Sequence, residues 1–320
     1  MDKRAEEVPQ GVAALAQTLE AELAGHGLLI RRLLITLLAG GHLLVEGPPG
    51  VAKTRAVKAL AAGIAARFAR IQCTPDLMPS DLTGTPVYHP KDGTFEFMPG
   101  PVFNNLVLVD EINRAPPKVQ SALLEAMAEH QVTAGNTTHA LPDPFFVVAT
   151  QNPIEHDGTF PLPEAQLDRF LMHVVLDLPG IETERRILDL VEAEGQAKET
   201  ASRACPMTLV QLKEAQKAVR DVYLAPELRD YIVRLVMATR DPGLRAEVEH
   251  AVSPRGTLAL AATARARAYL DGRDHALPED VVALAADVLA HRMVLSWAAV
   301  AEGRRARDIV ADVLSRVAPL

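Results

Sequence analysis

The octapeptide GPPGVAKT, Gly47–Thr54, follows a short unbroken apolar run, HLLVEG, and leads straight into TRAVKALAAGIAARF, which has helical periodicity. Strand, glycine turn and helix in that order is the context in which the pattern G-x-x-x-x-G-K-[ST] cradles phosphate, so few folds stay open to the chain. Gly47 lets the strand turn, and Gly50 lets backbone N–H groups close on a β-phosphate, with Pro48, Pro49 and Val51 completing the loop. Lys53 offers charge to the β- and γ-phosphates, and Thr54 a hydroxyl to Mg²⁺. The pattern fails at one place, where Ala52 replaces the second glycine. That position lies where the loop enters the helix, and near-helical backbone angles there would admit a methyl group. Alone, such a match balances a nucleotide site evenly against coincidence.

Three more apolar runs follow. NLVLVD ends in Asp110 and Glu111, PFFVVATQN ends in Gln151 and Asn152, and LMHVVLDLP comes last, with helical stretches such as PPKVQSALLEAMAEH between them. Alternation of this kind predicts an α/β domain whose parallel sheet is covered by helices on both faces, with functional groups at strand carboxyl ends. Upstream, residues 11–39 read as helix up to the stop at Gly40-Gly41. Past Pro179 every periodic segment, from ETERRILDLVEAEG to PEDVVALAADVLAHRMVLSW, is amphipathic helix. A boundary near residue 180 therefore separates the α/β domain from an all-helical one, and 320 residues at 48% hydrophobic can bury two modest cores.

The carboxylate pair carries the chemistry. Hydrolysis of a nucleotide needs one carboxylate to hold the magnesium shell and another to polarise the attacking water, and Asp110 and Glu111 supply both at a strand end. An ordinary acidic helix start would look the same. Net charge is −8 with pI near 5.7, so no global basic field attracts nucleic acid or anionic lipid. The amino terminus lacks a signal-peptide core, and the longest greasy segment, LLITLLAGGHLLVEG, is too interrupted to span a bilayer, so a cytoplasmic protein is expected. Cys73 and Cys205 have no metal-like spacing and read as idle thiols.

The blocks LVLVDEINRAPPKVQSALLEAMAEHQVT, ATQNPIEHDGTFPLPEAQLDRFLM and SPRG, long and in the right order, resemble the MoxR family of AAA+ ATPases. The resemblance runs from the first strand to HRMVLSW, and alanine before the loop lysine is frequent in that family. It implies an AAA+ P-loop core over residues 1–179, with an insert hairpin at about 83–100, and an all-helical lid over 180–320. It implies an ATPase that binds ATP and Mg²⁺, works as a ring, commonly a hexamer, and remodels, matures or assembles a partner protein. Asp110 and Thr54 then serve the metal and Glu111 the water. Asn152 matches the sensor that places the water, although a turn asparagine before Pro153 would also read so. Arg169, in QLDRF, matches the finger that reaches a neighbour's nucleotide, against the alternative of a surface pair with Asp168. Arg255, in SPRG, matches a second sensor facing the same phosphates from the lid, against that of a first-turn arginine. Arg114 is held as an intersubunit contact, and His156 stands where the family often has glutamine.

Two hairpins are expected, one turning at Asp92-Gly93 and the other around Gly135-Asn136, and the resemblance turns the first toward the ring pore. Loops on a rigid motor are candidate client contacts, and relatives commonly work beside proteins with a von Willebrand factor A domain. AGHGLL departs from the family pattern at the place tied to adenine recognition. A slow nucleotide-regulated scaffold and a nucleic-acid motor are the rival functions. The acidic balance and 4% aromatic content weigh against the second.

Overall fold

The computed structural model describes residues 3–23, 25–91, 93–135, 137–153, 158–196 and 205–319, so Asp92, Asn136 and His156 lie outside the described residues. The amino-terminal periodicity resolves into two helices, α1 (Lys3–Glu22) and α2 (Gly27–Leu38), not one. The break falls at Gly25, whose φ of 86° no helix accommodates. Periodicity alone hides it, because both helices bury an apolar face.

The α/β domain then runs β1 (Leu43–Glu46), α3 (Lys53–Gly63), β2 (Phe68–Gln72), α4 (Pro79–Thr83), β3 (Gly84–His89), β4 (Thr94–Pro99) and β5 (Leu106–Asp110). It continues with α5 (Pro117–Glu129), β6 (Gln131–Ala134), β7 (Thr137–Ala140), β8 (Phe146–Gln151), α6 (Glu164–Leu167) and β9 (Met172–Val175). Five strands form a parallel sheet in the order β2-β5-β8-β1-β9. β1, β5 and β8 are unbroken apolar runs because both faces are covered. Leu43, Val45, Leu106 and Leu108 join the core formed with α1, α2 and α3, while Leu44, Val107 and Val109 join the one formed with α5. β2 is the strand that periodicity missed. It sits at the sheet edge, half-exposed, and its sequence FARIQ continues a helical-looking stretch. The two hairpins form as expected, β3 against β4 and β6 against β7, with Gly93 and Gly135 at positive φ in their turns.

The second part holds α7 (Ile181–Gln196), α8 (Leu209–Asp221), α9 (Pro226–Ala238), β10 (Val248–His250), α10 (Pro254–Leu270), α11 (Pro278–Leu289), β11 (Val294–Leu295), α12 (Trp297–Ala301) and α13 (Ala306–Arg316). It is a helical lid, with one departure from expectation. The helix read through HRMVLSW stops at Leu289, and Val294-Leu295 pair antiparallel with β10. One apolar cluster continues from α1 and α2 into α8–α11, and the ion pairs Arg31–Asp271 (2.6 Å) and Arg32–Asp287 (2.7 Å) tie α2 to the lid. Among the described residues no helix is long and apolar enough to cross a membrane, and no cluster of potential metal ligands exists. Both cysteines are free, and burial, with Asp110 and Glu111 nearby, pushes the Cys73 thiol up to about 12, which leaves it inert.

His42, buried at the start of β1, accepts from the Val147 amide at Nδ1 (3.1 Å) and donates from Nε2 to the Met127 carbonyl (3.3 Å). Burial lowers its pKa from 6.5 to about 4, with His130 adding to the shift and the Met127 bond opposing it. Between those two values the unfolded chain binds the proton and the folded chain does not. The stability that neutral His42 confers is therefore complete above pH 6.5 and lost as pH falls toward 4. Between pH 7.5 and pH 5 the loss amounts to about 2 kcal/mol. Chemical unfolding of the wild-type chain and His42→Gln at both pH values measures it as the difference between their losses. Parallel losses would show that His42 is not held neutral.

Candidate active site

The loop after β1 is built by close approach. A Cβ at Gly47 would lie 3.0 Å from the Leu176 carbonyl oxygen and 3.1 Å from its Cβ, and Gly50 adopts φ 87°. Ala52 corrects an expectation. Its angles are φ 54° and ψ 19°, left-handed rather than near-helical, which costs a non-glycine residue about 1 kcal/mol. The Ala52 carbonyl nevertheless accepts the Ala56 amide (2.9 Å) to open α3, and its methyl packs against the core. Lys53 Nζ donates to the Gly47 carbonyl at 2.6 Å, closing the loop on itself. Burial lowers the Lys53 pKa, and the charges of Asp110, Glu111 and Glu46 draw it back up.

β8 lies between the loop strand β1 and the carboxylate strand β5, and it organises both carboxylates. Thr150 Oγ1 donates to Asp110 Oδ1 (2.9 Å) and accepts the Glu111 amide (3.0 Å), which holds Glu111 in a left-handed turn at φ 56°. Asp110 Oδ2 accepts from Thr54 Oγ1 (3.3 Å) and pairs with Arg70 Nε (2.7 Å). Glu111 Oε2 accepts from Gln72 Nε2 (3.0 Å) and pairs with Arg114 Nη1 (3.2 Å), so Arg114 serves its own chain's carboxylate. Buried Asn152 completes the wall of a cleft of about 360 Å³ that Pro49–Thr54 line from the other side. An ammonium, a hydroxyl and two carboxylates converging on a glycine cradle fit a nucleoside triphosphate and a hard divalent cation, which Thr54 and Asp110 would hold. Arg55, Arg70, Gln72 and Thr150 are the members of this cleft that nothing in the sequence singled out.

The other two predicted arginines stand elsewhere. Arg169 Nη1 donates to the Leu124 carbonyl of α5 (2.8 Å) rather than pairing with Asp168. Asp168 pairs instead with Arg255 (3.3 Å) and Arg292 (3.0 Å). Arg169 and Arg255 line a second cleft of about 410 Å³, beside His42 and Met127, and neither lines the phosphate-loop cleft. Within one chain, then, Arg255 does not face the cleft that Lys53 lines.

The hairpins touch each other. Phe97 of β4 stacks on His139 of β7 (centroids 3.9 Å apart, 13° between planes) and packs against Phe103, so it is structural. Phe95 is 72% exposed and pairs only with Tyr88 among rings (5.2 Å).

A parallel sheet of this order, a phosphate loop after an inner strand, a carboxylate pair two strands away and a helical lid define a P-loop nucleoside triphosphatase with an associated lid domain. Comparison with known proteins agrees. Residues 42–172 match the model for the ATPase family associated with various cellular activities (AAA), and residues 244–313 match an AAA lid domain. The chain is 42% identical to "Chaperone MoxR1" of Mycobacterium tuberculosis, over 97% of this chain and 84% of that protein. It is 35% identical to "Protein MoxR" of Methylorubrum extorquens, over 94% of this chain and 93% of that one. A crystal structure of a Cytophaga hutchinsonii protein superposes with TM-score 0.91 at 40% identity, covering 99% of this chain and 97% of the other. The chain belongs to the MoxR family of AAA+ ATPases.

Proposed function

We propose that this ATPase hydrolyses ATP with Mg²⁺ as a hexameric ring, and that turnover remodels or assembles a partner protein in the cytoplasm. One observation carries the proposal. Lys53, Thr54, Asp110, Glu111 and Asn152 share one cleft, while Arg169 and Arg255 share another, which supports a reading in which a neighbouring subunit completes each nucleotide site. Gly47, Pro48, Pro49, Gly50, Val51 and Ala52 wrap the phosphates, Lys53 neutralises them, and Asn152 orients the water that Glu111 deprotonates. Thr54 and Asp110 would hold the magnesium ion, which when bound would supply positive charge to the triphosphate. The neighbour's Arg169 and Arg255 stabilise charge on the transferring phosphoryl group.

Arg169→Ala and Arg255→Ala are therefore expected to bind an ATP analogue as the wild type does, while Arg169→Ala turns over about 10³-fold more slowly. Undiminished turnover in Arg169→Ala would remove its role. For the client, Tyr88 and Phe95 are the exposed side chains that suit contact with a protein surface, and a von Willebrand factor A domain protein is the partner the family suggests. Polyanions do not suit a chain of net charge −8.

A further inference from the structure

Arg292 comes from the lid, one turn past α11, where its Nη1 donates to the Val288 carbonyl and lies 2.7 Å from His291 Nε2, and its remaining contacts cross to the other domain. Its side chain is 3% exposed, and its Nε lies 3.0 Å from Asp168 Oδ1. Its Nη2 donates to the carbonyls of Phe170 (2.7 Å) and Asp168 (3.4 Å), and its Nη1 to that of Leu171 (3.3 Å). These residues flank Arg169 on both sides, between α6 and β9. Two more lid groups take the outer edge of the Asp168 carboxylate: Ser253 Oγ at 3.2 Å and Arg255 Nη1 at 3.3 Å. The α/β domain also holds the segment, through the Leu171 amide to the His42 carbonyl (2.8 Å), Gln166 Nε2 to Ser121 Oγ (3.3 Å), Arg169 to Leu124 and the Phe170 side chain buried in the core beside α5. A planar guanidinium with five donors can grip a carboxylate and several carbonyls at once, which no other side chain can do from a buried position.

We propose that Arg292 is the positioning residue for Arg169, so that docking of the lid in one subunit sets the arginine offered to the next subunit's nucleotide. This rests on the reading of Arg169 as a group that acts on a neighbour. Arg292 lines no part of the phosphate-loop cleft. Its loss therefore leaves the subunit's own binding site intact and disables only what that subunit lends to its neighbour.

Mixed rings test this. Arg292→Ala alone is expected to bind an ATP analogue like the wild type and to lose turnover about 10- to 100-fold, the scale of a misplaced catalytic group. Mixed in equal amounts with Lys53→Ala, with subunit exchange verified, it should regain turnover to the level of an Arg169→Ala and Lys53→Ala mixture, since each brings what the other lacks. Mixed with Arg169→Ala it should show no recovery above the two variants measured separately, because neither carries a well-placed finger. Recovery in the Arg169→Ala control but not with Arg292→Ala would overturn this role alone, as would recovery in the Arg292→Ala and Arg169→Ala mixture or wild-type turnover in Arg292→Ala. Failure of the control itself would overturn the reading beneath it. Arg292→Lys keeps a cation beside Asp168 but cannot reach the three carbonyls together. It goes through the same mixtures and decides the matter if Arg292→Ala does not bind the analogue.

Discussion

A Lys53→Ala chain is expected to lose ATP affinity by about 10²-fold or more, because it removes the charge-assisted bonds to the β- and γ-phosphates. The geometry makes the ammonium hard to replace. Nζ sits inside the loop, 2.6 Å from the Gly47 carbonyl, with Asp110 and Glu111 close enough to act on its pKa. Without it those two carboxylates keep Arg70 and Arg114 as partners but face the phosphates with less positive charge between, so the penalty combines a lost attraction with a stronger repulsion. The fold should survive, since Lys53 is only half-buried at the first turn of α3. Titration calorimetry with a non-hydrolysable ATP analogue measures the change. Near-normal affinity would mean that the loop is not the nucleotide site.

Glu111→Gln separates binding from chemistry. Turnover is expected to fall by about 10²- to 10⁴-fold, the contribution of a general base, while ATP affinity holds. The substitution is nearly isosteric, and a glutamine oxygen can still accept from Gln72 Nε2 and Arg114 Nη1, which now reach Oε2 at 3.0 and 3.2 Å. The Thr150 hydroxyl continues to fix the residue-111 amide, so the left-handed turn is kept. Only the capacity to take a proton disappears. Steady-state phosphate release alongside analogue binding checks it, and a variant that turns over normally would reduce Glu111 to a helix-start carboxylate.

Much of this site was legible in the sequence because its parts are local. A phosphate loop is eight consecutive residues, and Asp110-Glu111 ends an apolar run that is a strand on any reading. The hairpins announced themselves through glycine at turn positions between alternating segments. The features that escaped depend on pairing across the chain. Arg70 and Gln72 reach the carboxylates because β2 pairs with β5, and an exposed edge strand following a helix has little periodicity of its own. Thr150 matters because β8 lies beside β5, an adjacency no local pattern states. Arg292 reads as a basic residue closing a helix, and only the docked lid gives it Asp168. Residue type likewise does not fix a dihedral, so the left-handed turn at Ala52 was visible only in the structure.

Sharing of the nucleotide site between subunits is the central claim, and mixing Arg169→Ala with Lys53→Ala subunits tests it most directly. Each population alone should be inactive, one lacking a finger and the other a binding loop. At equal proportions, with exchange proven, random assembly gives about a quarter of the interfaces an intact loop facing an intact finger, and turnover should recover to about that fraction of wild type. Turnover that stays at the level of the separate variants would contradict the account, because Arg169 would then act within its own chain or not at all.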